Sequence, residues 1–147
     1  MSNLTKVTIT INQPVEKVWE LFMNPDNLKN WLTGFVSVEP ISGNTGEPGS
    51  VSKLKFMERG KLVEVTETVM AAMPNQQYSF EMEHEAFHAK TDVRLVSFGT
   101  RTEFIQTVEF FPKGFMMKLM MPIVKGAMKK QMLNELNNLK NFIETKY

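Results

Sequence analysis

Along Leu4–Ile11 polar and apolar residues alternate: Val7, Ile9 and Ile11 share one face, and Leu4, Lys6, Thr8 and Thr10 the other. This period of two predicts a strand with one buried side. The period then changes. Pro14 suits the first turn of a helix, and Val15, Val18, Trp19 and Phe22 recur at helical spacing as one apolar stripe. Asn24-Pro25-Asp26 ends that helix and starts another, with Asn24 as cap and Pro25 at the first position. The second helix carries Leu28, Trp31 and Leu32 and is expected to end at Gly34.

Beyond Gly34 the chain is strand-like. Phe35–Ser42 is one run, and 43–49 is turn chemistry rich in Gly, Asn and Pro. Leu54 and Phe56 share a face in the next run. Gly60 then turns the chain into Lys61–Met70, where Val63, Val65, Glu67 and Val69 align. Pro74-Asn75 breaks the pattern before Tyr78, Phe80 and Met82 alternate, followed by Ala89, Thr91, Val93 and Leu95. Gly99 leads to a last run with Thr102, Phe104, Gln106, Val108 and Phe110 in phase. Turns this short favour antiparallel meander pairing.

The C-terminal segment returns to helical period: Val124, Met128, Met132, Leu136, Leu139 and Ile143 form a long stripe, with Asn134, Glu135, Asn137, Asn138 and Lys140 around it. As a helix, Ile123–Lys146 spans about 36 Å, against about 33 Å for a ten-residue strand. It therefore matches a sheet in length and can lie along its concave face. Just ahead, Phe115–Pro122 holds six large apolar residues in eight positions, four of them Met. Proline inside a helix costs about 3 kcal/mol or more, so a break is expected here, with Pro122 opening the main helix. The broken segment reads either as a gate or contact surface, or as methionines plugging the end of the core.

Composition narrows the functional classes. The 147 residues suit one domain over 1–147 with a sizeable core. Seventeen basic against sixteen acidic residues supply no global field that would steer the chain to nucleic acid or to an acidic membrane. The absence of cysteine excludes disulfides, zinc ribbons and thiol nucleophiles. No apolar run reaches membrane-spanning length and the opening Met-Ser-Asn-Leu-Thr-Lys lacks a signal core, so a cytoplasmic location is expected. Twelve methionines point to a surface that adapts to varied apolar shapes.

The order strand, two short helices, six strands, long helix resembles the superfamily that joins START lipid-transfer domains, the birch-pollen allergen group and the polyketide cyclases, often called SRPBCC. The likeness is carried by Ile9-Thr10-Ile11-Asn12-Gln13-Pro14-Val15-Glu16-Lys17-Val18-Trp19, by Asn24-Pro25-Asp26-Asn27-Leu28 with Trp31 after it, by Gly46-Glu47-Pro48-Gly49-Ser50, and by Leu136–Glu144. The resemblance implies an α+β helix-grip fold, with a curved antiparallel sheet of about seven strands around the long C-terminal helix. It does not select among lipid carriers, hormone binders, cyclases and chaperone-ATPase activators, because these motifs are structural.

Candidate chemistry is sparse. His84-Glu85-Ala86-Phe87-His88 matches the zinc-protease spacing, whose two histidines must share a helical face. Here strands flank it and it falls at a hairpin tip, so neither metal nor cofactor is expected. No Ser-His-Asp set or phosphate loop is legible.

Glu67 shares the face of Val63, Val65 and Val69, and Gln106 lies between Phe104 and Val108. Either Glu67 points inward, with Gln106 as a candidate donor, or a bulge slips the register and turns it out. Inward, it can hold a ligand's polar end or act as an acid. The expected cavity wall comprises Trp31 at the mouth, then Phe56, Val65, Glu67, Tyr78, Phe80, Met82, Phe104, Gln106, Met117, Met120, Met121, Val124 and Met128.

The reading is a module that binds a small apolar or amphipathic molecule. A cyclase or dehydratase using Glu67, and an interaction protein like the chaperone-ATPase activators, are the alternatives. Transient contact with a membrane or protein is compatible with it, and the oligomeric state is open.

Overall fold

The computed structural model describes residues 3–146; Met1, Ser2 and Tyr147, counted above in the domain and in the N-terminal reading, lie outside the described residues. The elements follow the order β1 (Leu4–Ile11), α1 (Val15–Met23), a 3-10 helix (Pro25–Asn30), β2 (Phe35–Ser42), β3 (Val51–Glu58), β4 (Lys61–Met73), β5 (Gln77–Glu83), β6 (Phe87–Ser97), β7 (Thr102–Pro112), α2 (Phe115–Leu119) and α3 (Met121–Lys146). The seven strands among the described residues form one antiparallel sheet ordered β1-β7-β6-β5-β4-β3-β2. β2 to β7 is thus a meander. β1 pairs with β7 from Leu4 opposite Glu109 to Ile11 opposite Thr102, so α1 and the 3-10 helix carry the chain from one sheet edge to the other.

Local chemistry explains the corners. Arg59 and Gly60 both have positive φ between the paired Glu58 and Lys61, the two-residue turn whose twist matches that of the flanking strands. Gly34 has φ +70°, and a Cβ there would sit 2.4 Å from the Met57 carbonyl oxygen. Only glycine lets the start of β2 approach β3 this closely. The Asn24 side chain accepts a hydrogen bond from the Asp26 N–H at 3.0 Å, as a cap should. Two boundaries move slightly. Pro14 stands just outside α1, its carbonyl accepting from the Lys17 and Val18 N–H groups. The second helix is a 3-10 helix that stops at Asn30, leaving Trp31 as its C-cap.

α3 closes on the sheet through its C-terminal half. Met132, Leu136, Leu139 and Ile143 are buried and join Val7, Ile11, Val18, Phe22 and Phe104 in the core. Polar ties fix the same end: the Lys140 ammonium donates to the Thr10 carbonyl at 2.6 Å, and Glu144 accepts from the Asn12 N–H at 2.7 Å. The chain does break ahead of α3. α2 stops at Leu119, Met120 supplies its carbonyl to the Ile123 and Val124 N–H groups, and α3 starts at Met121, one residue before Pro122.

Candidate functional site

Because α3 is drawn down only at its C-terminal half, the other half stands off the sheet over a cavity of about 500 Å³. Inward positions of the expected alternation from five strands form the floor: Leu54 and Phe56 of β3, Val65, Glu67 and Val69 of β4, Tyr78, Phe80 and Met82 of β5, Thr91 of β6, and Gln106 and Val108 of β7. Met117 of α2 and Val124, Ala127 and Met128 of α3 form the roof. Phe22, Leu28 and Trp31 make an end wall, where Pro25, Thr45 and Gly46 reach the surface. The Trp31 indole N–H is buried with no hydrogen-bond partner among the described residues, and its ring lies 5.8 Å from that of Phe22.

Glu67 points into this cavity. β4 does carry a bulge, but it falls between Val69 and Ala71, after Glu67, so the register that pairs Glu67 with Ser52 and Met82 is unbroken. Its partner is Tyr78, whose hydroxyl donates to the Glu67 carboxyl over 3.4 Å. Burial pushes the Glu67 pKa up from 4.5 to about 7, against the smaller opposing pull of the Tyr78 hydrogen bond. Burial, then the nearby Glu67 charge and that same bond, hold the Tyr78 phenol well above its ordinary value, so it remains a donor. The expectation that Gln106 would pair with Glu67 is corrected. β5 and β6 separate β4 from β7, three strand spacings or roughly 14 Å along the sheet. Gln106 occupies another part of the wall.

Three further expectations are corrected. Phe104 is 1% exposed and not on the wall. It pairs with Ile9 and Leu95, and the Phe22 ring stands edge-on to it at 5.1 Å, in the half of the sheet that α3 closes. Met120 sits at the helix break and is 45% exposed, and Met121 packs toward the core while α3 first meets the cavity at Val124. The other eleven expected wall residues do line the cavity: Trp31, Phe56, Val65, Glu67, Tyr78, Phe80, Met82, Gln106, Met117, Val124 and Met128.

Sequence reasoning missed a further buried carboxyl, Glu135, which lines the cavity near Gln131 and Glu58. Its carboxyl accepts from the Thr33 N–H at 2.9 Å and from the Gln131 side chain at 3.3 Å, tying α3 to the loop before β2. Burial raises its pKa, the bonds from Thr33 and Gln131 opposing. A signal was available: Val124, Met128, Gln131 and Glu135 follow at intervals of four, three and four, a second stripe beside the apolar one.

The histidine pattern forms no helical face. Ala86 N–H donates to His84 Nδ1, and the His84 ring stacks on Phe87. His88 lies on β6 with its ring nitrogens 2.7 Å and 2.6 Å from Glu81 and Glu83. Among the described residues no three His, Asp or Glu side chains are grouped to hold a metal ion, and no helix is long and apolar enough to cross a membrane. A second concavity, bordered by Lys53, Glu64, Glu83, Glu85 and Lys113, is a shallow charged trough on the outer face.

Residues 4–144 match the family model described as polyketide cyclase / dehydrase and lipid transport. Solved structures share the fold at low identity. Zhui aromatase/cyclase from Streptomyces sp. R1128 is 14% identical with a TM-score of 0.83, covering 98% of this chain and 94% of its own. A START superfamily protein from Mycobacterium smegmatis is 14% identical with a TM-score of 0.80, covering 98% and 99%. Ara h 8.0201 is 17% identical with a TM-score of 0.77, covering 99% of each chain. The seven-stranded sheet gripping a long C-terminal helix is thus the helix-grip fold of these proteins. No curated protein matches the sequence.

Proposed function

Since the chain belongs to the polyketide cyclase / dehydrase and lipid transport family, we propose that it binds one small amphipathic molecule in the cavity under the N-terminal half of α3, with the ligand's polar end on Glu67 and Tyr78. The carrying observation is a cavity of about 500 Å³ walled mainly by Val, Leu, Phe and Met, into which a single carboxyl–phenol pair projects from the floor. A volume of this order suits a small molecule, and few polar groups in an apolar hollow orient rather than merely dissolve it. The shifted Glu67 is partly protonated at neutral pH, so it can accept from a ligand hydroxyl or donate to a carbonyl. Glu135 at the Thr33 end offers a second polar anchor. Methionines at 82, 117, 128 and 132 let the wall follow different apolar shapes.

A second reading rests on the same group. A carboxyl with a pKa of about 7 beside a phenol is suited to proton transfer at neutral pH, as a cyclase or dehydratase would require. An interaction role without a ligand draws no support from the cavity, since it calls for a filled core.

Native mass spectrometry of protein purified without denaturation, together with titration by anilinonaphthalene sulfonate, tests the binding reading. A retained small molecule, or saturable probe binding that Glu67→Gln changes several-fold with the fold intact, is expected. A bare chain that takes up no probe would refute it. Turnover of a bound molecule by the wild type and not by Glu67→Gln would establish the second reading.

A further inference from the structure

The segment that roofs the cavity has an outer side as unusual as its inner one. Phe115, Met116, Leu119 and Ile123 are 75%, 66%, 63% and 70% exposed, values that large apolar side chains rarely show together. Phe115 and Leu119 are one helical turn apart on α2, and Met120, at the break, hydrogen-bonds through its carbonyl to Ile123. The four exposed side chains are thus carried within nine residues of chain, 115–123.

Charge in this region is one-sided. Residues 110–134 contain Lys113, Lys118, Lys125, Lys129 and Lys130 and no Asp or Glu, whereas the rest of the chain has twelve basic against sixteen acidic residues. Lys113 is ion-paired with Glu83, but Lys118, Lys125, Lys129 and Lys130 lie on the same segment as the exposed apolar side chains, so a nearly neutral chain carries a local excess of positive charge here. Lys118 lies between Met117 and Leu119 on α2, and Lys130 follows Ile123 by seven residues, two turns along the same side of α3.

We infer that α2 and the first turns of α3 form a docking surface for an anionic membrane, with Phe115, Met116, Leu119 and Ile123 entering the headgroup region and the surrounding lysines meeting lipid phosphates and carboxylates. Charge complementarity selects this occupant. Protein interfaces are depleted of lysine and anchored by Trp, Tyr and Arg, and none of those three occurs between residues 110 and 134. Flexible Met and Leu side chains fit a fluid partner, and lysine stems can lie along acyl chains while their ammonium groups remain in the headgroups. Docking rests on this outer surface alone. Its consequence for the cavity depends on the binding reading above: Met117, Val124 and Met128 line the cavity from the same segment, so docking sets the roof of the cavity against the lipid.

Sedimentation with phosphatidylcholine vesicles, pure or containing about three parts in ten phosphatidylserine, tests this. The full chain is expected to sediment with the anionic vesicles at roughly 0.1 M salt and to be released at roughly 0.5 M. Lys118→Gln with Lys130→Gln should weaken partitioning about twenty-fivefold, near fivefold per lysine. Phe115→Ser with Ile123→Ser should weaken it at least about tenfold. All four residues are exposed, so the thermal midpoint should hold. Phe98→Ser, at an exposed position on the β6–β7 turn, should partition like the wild type. No partitioning, equal partitioning on neutral vesicles, or equal loss in Phe98→Ser would overturn the inference. So would a dimer abolished by Phe115→Ser with no vesicle binding, since the surface would then belong to a second copy. These outcomes do not depend on probe binding in the cavity, so either reading can fail alone.

Discussion

Glu67→Gln tests the central group of the cavity without presupposing a ligand. Gln resembles the protonated side chain and keeps an oxygen for the Tyr78 hydroxyl, which reaches Glu67 over 3.4 Å. In the folded chain the Glu67 pKa is raised by burial from 4.5 to about 7, whereas the unfolded chain should titrate near the ordinary value. The folded state therefore holds its proton more tightly. The stability associated with that proton is fully present below about pH 4.5, falls as pH rises toward 7 and is lost above it. A separation of this size corresponds to at most about 3 kcal/mol. The variant has no such proton to lose. Relative to the wild type it should be of similar stability at pH 5 and more stable at pH 8, by an amount approaching that limit. Urea unfolding followed by tryptophan fluorescence at several pH values between 5 and 8 measures the difference, provided the denaturant slope is unchanged. A constant offset between the two profiles would mean that Glu67 titrates normally in the folded state, and the polar anchor assigned to the cavity floor would lose its basis.

Other outcomes follow from the same geometry. Phe104→Ala removes a core ring and should cost about 3–5 kcal/mol, whereas Met128→Ala on the cavity roof should cost less and increase probe uptake; chemical denaturation and probe titration compare them. Gly34→Ala combines a left-handed backbone with a 2.4 Å approach to the Met57 carbonyl and should lose at least about 1–2 kcal/mol, seen as a lower thermal midpoint. Elemental analysis should find no stoichiometric zinc, because His84 and His88 lie on a hairpin with different partners; one zinc per chain lost with either histidine would contradict this. Amide exchange across 115–121 should outpace that of Met132–Ile143 and slow when the cavity is filled; equal protection in both states would mark the segment as fixed core.

Period alone determined most of the fold. Alternation at Val63-Val65-Glu67-Val69 and at Tyr78-Phe80-Met82 set which side chains face inward, since a strand's period of two leaves only two faces and one must be buried. Pro122 likewise announced the break before α3, although the helix begins one residue earlier. What period could not supply was distance across the sheet and depth along it. Gln106 and Tyr78 both face inward, but only the strand order β4-β5 puts Tyr78 beside Glu67, while two strands hold Gln106 away. Phe104 and Val108 share a face on one strand, yet the first is sealed in core and the second lines the cavity, because α3 meets the sheet at one end and stands off at the other. Glu135 has the spacing of a cavity residue and the character of a surface one, and its role emerged only when the loop at Thr33 folded over it. Which face a side chain takes is a local property of the backbone. Whether that face meets a partner, a cavity or solvent depends on segments distant in sequence, and it was decided by where the long helix could be pinned.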